Sequence, residues 1–130
     1  MVSKWTIGIV TVVVLAFAFY FLNPAAWNKD SVPDGKYTEF AKCLTEKEVV
    51  MYGAYWCSHC QAQKKLFGDA WEEVNYVECD ARGDNGNPDL CTEKGVTGYP
   101  TWIFADGSRT SGETALSQLA FKSGCELPTE

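Results

Sequence analysis

Val49-Val50-Met51-Tyr52-Gly53-Ala54-Tyr55-Trp56-Cys57-Ser58-His59-Cys60 is the stretch on which the fold turns. Residues 49–56 are an apolar run of β-branched and aromatic side chains, suited to a buried central strand. After them the period changes. Cys60, Phe67, Trp71 and Val74 recur at helical spacing through residues 57–74, with Gly68 marking a kink. Cys57 therefore stands where a buried strand hands over to a helix start, and there free amides and the helix dipole favour a thiolate. Cys60, three residues on, shares a face with Cys57, so the two sulfurs can close a small disulfide ring. Only a thiolate attacks disulfides, which makes Cys57 the nucleophile and Cys60 the deeper, resolving thiol. His59 between them can bring positive charge or a donor to the Cys57 sulfur, which stabilises the reduced pair and makes its disulfide more oxidising.

Outward from this centre, helical and extended patterns alternate. Residues 37–48 read as a short helix with Phe40, Ala41 and Leu44 on one face, and residues 75–79 as a second strand. A polar loop over 80–88 precedes a short helix, 89–94, ended by Gly95. Residues 101–104 and 108–111 flank Asp106-Gly107, a strong hairpin signal. Residues 113–123 read as a last amphipathic helix closed by Gly124. This order predicts an α/β fold with a mixed sheet flanked by helices.

The first residues belong to no globular core. Residues 5–22 carry no charge and are crowded with Val, Ile, Phe, Leu and Ala. As a helix they would span roughly 27 Å, close to the thickness of a bilayer's hydrocarbon. Lys4 and Lys29 bracket the uncharged stretch, with Trp5, Tyr20 and Trp27 where interfacial aromatics sit. The expected organisation is an anchor helix over 1–22, a linker over 23–36 containing Pro24, Asn28, Pro33 and Gly35, and a domain over 37–130. A cleaved signal peptide is the competing possibility, but Asn23-Pro24-Ala25-Ala26 matches a small-x-small cleavage site poorly. Lys4 and the α-amino group favour the N-terminus inside, placing a single-pass protein's domain on the extracytoplasmic side, periplasmic or lumenal. All six cysteines fall in that part, which fits an oxidising compartment.

Composition excludes several classes. A net charge of -6 offers no basic footprint for nucleic acid. One histidine in 130 residues makes a His-based metal centre or a Ser–His–Asp triad hard to assemble, and no metal or cofactor is expected. The pair Cys57 and Cys60 could still be half a zinc site or a structural disulfide, but no second C-x-x-C accompanies it. Gly98-Tyr99-Pro100-Thr101 leads into an apolar strand, where an opening proline is tolerated. Whether its peptide bond is cis is not legible in the sequence, and a trans turn is the ordinary case.

Taken together, Met51-Tyr52-Gly53-Ala54-Tyr55-Trp56-Cys57-Ser58-His59-Cys60, Gln63-Lys64, Phe67-Gly68, Tyr76-Val77-Glu78-Cys79 and Gly98-Tyr99-Pro100-Thr101-Trp102 resemble the thioredoxin-like domain fused to bacterial and plant vitamin K epoxide reductase homologues, over residues 37–127. The resemblance implies a thioredoxin-like fold with the proline before the third core strand in cis, facing the C-x-x-C. It implies Cys57 as exposed nucleophile, Cys60 as its partner and Tyr99-Pro100 as the substrate-facing loop. Electrons would pass from protein thiols to a membrane reductase and then to a quinone. The resemblance also supports a loop-closing disulfide between Cys79 and Cys91, worth about 2–3 kcal/mol by loop-closure entropy; a redox relay to Cys57 and Cys60 is the alternative.

The sequence departs from that family's pattern in two respects. The four-helix quinone-reducing domain is missing before this module, so the expected acceptor is a separate membrane-embedded, quinone-linked partner. In ordinary thioredoxins a buried acid lies six residues before the first motif cysteine, and here that position is Met51. Losing that proton acceptor argues against reduction in the thioredoxin manner. Cys43 and Cys125 receive no role: free thiols, an intermolecular bridge and a mutual disulfide stay open. The last is disfavoured because thioredoxin helices at those places usually pack on opposite sheet faces. The function expected is a membrane-anchored thiol–disulfide oxidoreductase oxidising exported protein thiols. Its alternatives are a reductase or isomerase, for example in cytochrome maturation, and a metal-handling or scaffold domain.

Overall fold

In the computed structural model, which describes residues 4–22 and 35–129, the apolar run before Cys57 becomes an inner strand of a four-stranded sheet. The strands β1 (Val50–Gly53), β2 (Tyr76–Glu78), β3 (Thr101–Ile103) and β4 (Arg109–Ser111) lie in the order β2-β1-β3-β4. β1 and β2 are parallel, while β3 runs antiparallel to β1 and β4 to β3, so the sheet is mixed. A parallel pair needs a long crossover, and here it is α3 (Ser58–Phe67) followed by a 3-10 turn over Gly68–Glu73.

Register decides which residues meet. Met51 lies opposite Tyr76 and Trp102, and Gly53 opposite Glu78. Because side chains alternate along a strand, these residues share one face of the sheet. That face carries the main core. Phe40, Ala41 and Leu44 from α2 (Thr38–Glu46), Cys60 and Phe67 from α3, and Leu116 and Leu119 from α5 (Leu116–Ser123) pack there with Trp102. The Phe67 ring lies 6.0 Å from that of Phe40 and 6.1 Å from that of Trp102. Emptying such a position costs about 3–5 kcal/mol. The opposite face holds Tyr52 against Cys79 and Cys91, the latter on α4 (Pro88–Glu93).

The strand expected over 49–56 covers only Val50–Gly53, with Tyr55 and Trp56 exposed, and three helices also depart from their sequence patterns. The helix expected over 57–74 stops at Phe67, because Gly68 takes φ 60 and the chain re-forms as a 3-10 turn. The last helix starts at Leu116 rather than at 113. Buried Gln63 holds Thr114 by both backbone groups, accepting from its N–H at 2.6 Å and donating to its carbonyl at 2.9 Å. Gly124 then closes α5 in the left-handed region at φ 71. The third difference is the first helix, which ends at Glu46, with Glu48 at φ 57.

Cys43 and Cys125 are joined by a disulfide, Cα to Cα 5.9 Å, which corrects the expectation that their helices lie on opposite faces. Both α2 and α5 contribute to one buried cluster, and this brings Cys43 beside the segment leaving α5.

The N-terminal residues 1–31 and the remainder, 32–130, are separate units. In the first, α1 (Lys4–Leu22) is a helix of 19 residues. Among the described residues no helix is long and apolar enough to cross a membrane. The anchor expected over 1–22 therefore rests on the sequence. Apart from Gly35 and Lys36, the linker expected over 23–36 lies outside the described residues. Gly35, the first described residue of the second unit, donates its N–H to Asp69 Oδ2 at 2.9 Å.

Candidate active site

β1 ends at Gly53, and the turn after it delivers Cys57 to the start of α3. Cys57 N–H donates to the Ala54 carbonyl at 3.0 Å. The residue is the helix N-cap, extended at φ -76 and ψ 117, and its sulfur accepts from the Cys60 N–H at 3.2 Å. A cysteine thus occupies a position usually held by Ser, Thr, Asp or Asn. No acidic residue stands in the first turn. Cys57 is 7% exposed and Cys60 0%, and both are free thiols. Only Cys57 is within reach of a partner in solvent.

Cys60 is buried beneath it. Loss of hydration pushes its thiol up to about 12, with the hydrogen bond to Cys57 adding to the rise. At neutral pH it therefore keeps its proton, and it becomes a nucleophile only where a base takes that proton.

The Tyr99–Pro100 peptide bond is cis. Pro100 is fully buried, and the Cys57 thiol donates to the Tyr99 carbonyl at 3.7 Å. Tyr99, Gly98 and Thr97 on one side and Trp56, Cys57, Ser58 and His59 on the other line an open groove of about 610 Å³. The structure thus brings Cys57, His59 and Tyr99 to one groove, with Cys60 behind it.

His59 is mostly exposed, and its Nδ1 lies 3.6 Å from Glu113 Oε2. Glu113 was not singled out by sequence. It is placed there because its neighbour Thr114 is gripped by Gln63, a buried amide that no periodicity distinguishes from a surface one.

Trp56, 56% exposed, meets the Tyr99 ring edge-on at 6.1 Å. Its Nε1 donates to Asp80 Oδ2 at 2.8 Å. Asp80 also accepts from the Arg82 guanidinium at 2.7 and 3.0 Å and from the Arg82 N–H at 2.9 Å. These bonds, those of Arg82 foremost, hold the Asp80 carboxyl well below the usual carboxylate range. The residue before Asp80 is half of a second disulfide, Cys79–Cys91, with its Cα atoms 5.7 Å apart. Among the described residues no group of three or more His, Cys, Asp or Glu is placed to hold a metal ion.

Residues 31–120 match the thioredoxin family model. The chain is 43% identical over 91 residues to the thiol-disulfide oxidoreductase LTO1 of Arabidopsis thaliana, covering 67% of this chain and 24% of that protein. It is 30% identical over 105 residues to the putative protein disulfide-isomerase C1F5.02 of Schizosaccharomyces pombe, covering 75% of this chain and 20% of that one. Over 88 residues it is 33% identical to the chloroplastic glutaredoxin-C5 of Arabidopsis thaliana, 66% of this chain and 51% of the relative. The chain thus spans about half or less of the length of these relatives. What they share with it is the region that holds Cys57 and Cys60, and the matched family is one whose fold this sheet and its helices reproduce. The chain belongs to the thioredoxin family.

Proposed function

We propose that this protein is a membrane-tethered thiol–disulfide oxidoreductase that takes electrons from thiols of exported proteins. It would pass them to a separate membrane-embedded, quinone-linked partner of the vitamin K epoxide reductase kind. The observation that carries the proposal is the position of Cys57 Sγ, which accepts from the Cys60 N–H at the start of α3 and lies 3.7 Å from the Tyr99 carbonyl, with Cys60 buried behind it.

A substrate thiolate attacks Cys57 Sγ of the Cys57–Cys60 disulfide, and Cys60 leaves with the electron pair of the broken bond. A second substrate thiolate then attacks the mixed disulfide, and the substrate departs oxidised while both site cysteines are reduced. The partner reoxidises them. A donor N–H on the Cys57 sulfur favours the reduced form, which supports the oxidising direction.

Anchoring is supported by the uncharged run over residues 5–22 and by the exposed apolar side chains of α1, among them Val12, Leu15 and Phe19. Lys4 before that run and two disulfides in the domain support an extracytoplasmic location. Tethering would raise the effective concentration of the domain for a partner in the same membrane.

A second direction of flow, disulfide reduction or isomerisation, is favoured by the likeness to a putative protein disulfide-isomerase. Trapping separates the two. A Cys60→Ala chain expressed at full length should accumulate, in washed membranes, mixed disulfides through Cys57 with exported proteins and a membrane redox partner. Capture of cytochrome-maturation clients alone, or of nothing, counts against the oxidase.

A further inference from the structure

Met51 leaves the main core without the acid that could deprotonate a buried thiol, and it is itself completely buried. The neighbouring strand supplies one. Glu78 is 6% exposed and stands opposite Gly53 on the face that packs α3. Its Oε2 accepts from the Tyr76 hydroxyl at 2.7 Å, and its Oε1 accepts from the Asp80 N–H at 2.9 Å. The loop over it closes tightly: a Cβ on Gly83 would come within 2.5 Å of the Glu78 side chain.

Gly53 links this pair to the redox site. The point where a Cβ on Gly53 would stand is 2.9 Å from Cys60 Sγ and 3.4 Å from Tyr76 Oη. Sulfur and phenol oxygen are therefore no further apart than those two distances laid end to end; they are not hydrogen-bonded to each other, and one water would bridge such a gap. The absent side chain at Gly53 is what lets them approach.

We propose that Glu78, reached through the Tyr76 hydroxyl, is the proton acceptor and donor for Cys60 during disulfide exchange. This rests on the redox assignment of Cys57 and Cys60 and deepens it. When Cys60 resolves a mixed disulfide at Cys57, its S–H proton passes through one bridging water to Tyr76 Oη as the Tyr76 proton passes to Glu78 Oε2. The Cys60 thiolate attacks Cys57 Sγ, the new S–S bond forms, and the outgoing sulfur takes the electron pair of the bond that breaks. In the opposite direction Cys60 leaves Cys57 as a thiolate, and the proton returns from Glu78 by the same path. Burial and the bond to Glu78 hold the Tyr76 phenol well above its ordinary value, so it hands protons on without standing as a phenolate. The other ionisable groups facing this path are Cys57 and Lys64, both from the α3 side, with Lys64 Nζ 4.0 Å from the Tyr76 ring centre. β1 contributes none, because its residues on this face are Met51 and Gly53.

Dithiodipyridine tests this on the full chain, with Cys57 and Cys60 reduced and the two other disulfides intact. The first thiopyridone released reports attack by Cys57, and the second reports resolution by Cys60. Glu78→Gln and Tyr76→Phe should leave the first phase unchanged and slow the second by about tenfold or more near neutral pH. The deficit should shrink as pH rises and hydroxide takes the proton. Second phases that follow the wild type at every pH would overturn the relay, and slowing confined to Glu78→Gln would overturn the route through Tyr76. Glu78 also holds the Asp80 amide, so if Glu78→Gln does not fold, Tyr76→Phe decides, because it removes one hydroxyl only. Failure of the first phase in the wild type would strike instead at the redox assignment, and the relay would fall with it.

Discussion

Trp56 Nε1 donates to Asp80 Oδ2 at 2.8 Å, joining the side chain before Cys57 to the residue after Cys79. The loop stapled by Cys79–Cys91 thus fixes one wall of the groove beside Cys57. Aromatic contact area at the groove is set by a carboxylate twenty-four positions away in sequence.

The pH behaviour of this link is set by the direction of the Asp80 shift. Its folded-state value is depressed by Arg82 and Trp56, so its contribution is present above the unfolded carboxyl value of about 3.9. It is lost only as pH falls through the lower folded value. The fluorescence contributed by Trp56, taken as the difference between wild type and Trp56→Phe, should be flat from neutral pH down to about pH 4. Asp80→Ala should change that signal at neutral pH and lower the rate of exchange with protein disulfides by about tenfold, as a displaced positioning group does.

The Cys79–Cys91 and Cys43–Cys125 disulfides should differ in worth. Cys79–Cys91 closes a short loop, with a sequence separation of 12, and Cys43–Cys125 a long one, with a separation of 82. By loop-closure entropy the Cys79→Ala/Cys91→Ala chain should lose about 3 kcal/mol and the Cys43→Ala/Cys125→Ala chain about 4–5 kcal/mol. Urea unfolding of the two double variants measures the order. Equal losses, or the reverse order, would mean that entropy in the unfolded chain does not set their contribution.

Gly53→Ala should damage both stability and exchange. The added methyl would come 2.9 Å from Cys60 Sγ and 3.1 Å from Tyr76 Cε2. Overpacking of this kind costs about 1–3 kcal/mol. Thermal unfolding should register that loss, and the second thiopyridone phase should slow together with it, because Cys60 and Tyr76 are pushed apart. An unperturbed second phase in a destabilised variant would separate packing at Gly53 from the chemistry.

What was legible in the sequence was local. The strand-to-helix handover at Cys57 announces itself by a change of period within a dozen residues, and the Asp106-Gly107 hairpin by its turn residues. Long-range facts were not legible. Gln63 and Thr114 meet across fifty-one positions, and without that clamp residues 113–115 look helical. Cys43 and Cys125 meet only because α2 and α5 share a core. Glu78 becomes a buried acid on the sheet face that packs α3 only when the parallel register sets it opposite Gly53; in the sequence it is one acid among seventeen.

The direction of electron flow is the central claim, and the reduction potential of Cys57–Cys60 tests it most directly. It can be read by equilibrating the full chain in glutathione buffers and following alkylation of Cys57. A stabilised reduced form predicts a value on the oxidising side, between about -180 and -120 mV, where disulfide-donating proteins of this fold lie. A value near about -270 mV, that of a reducing thioredoxin, would contradict it.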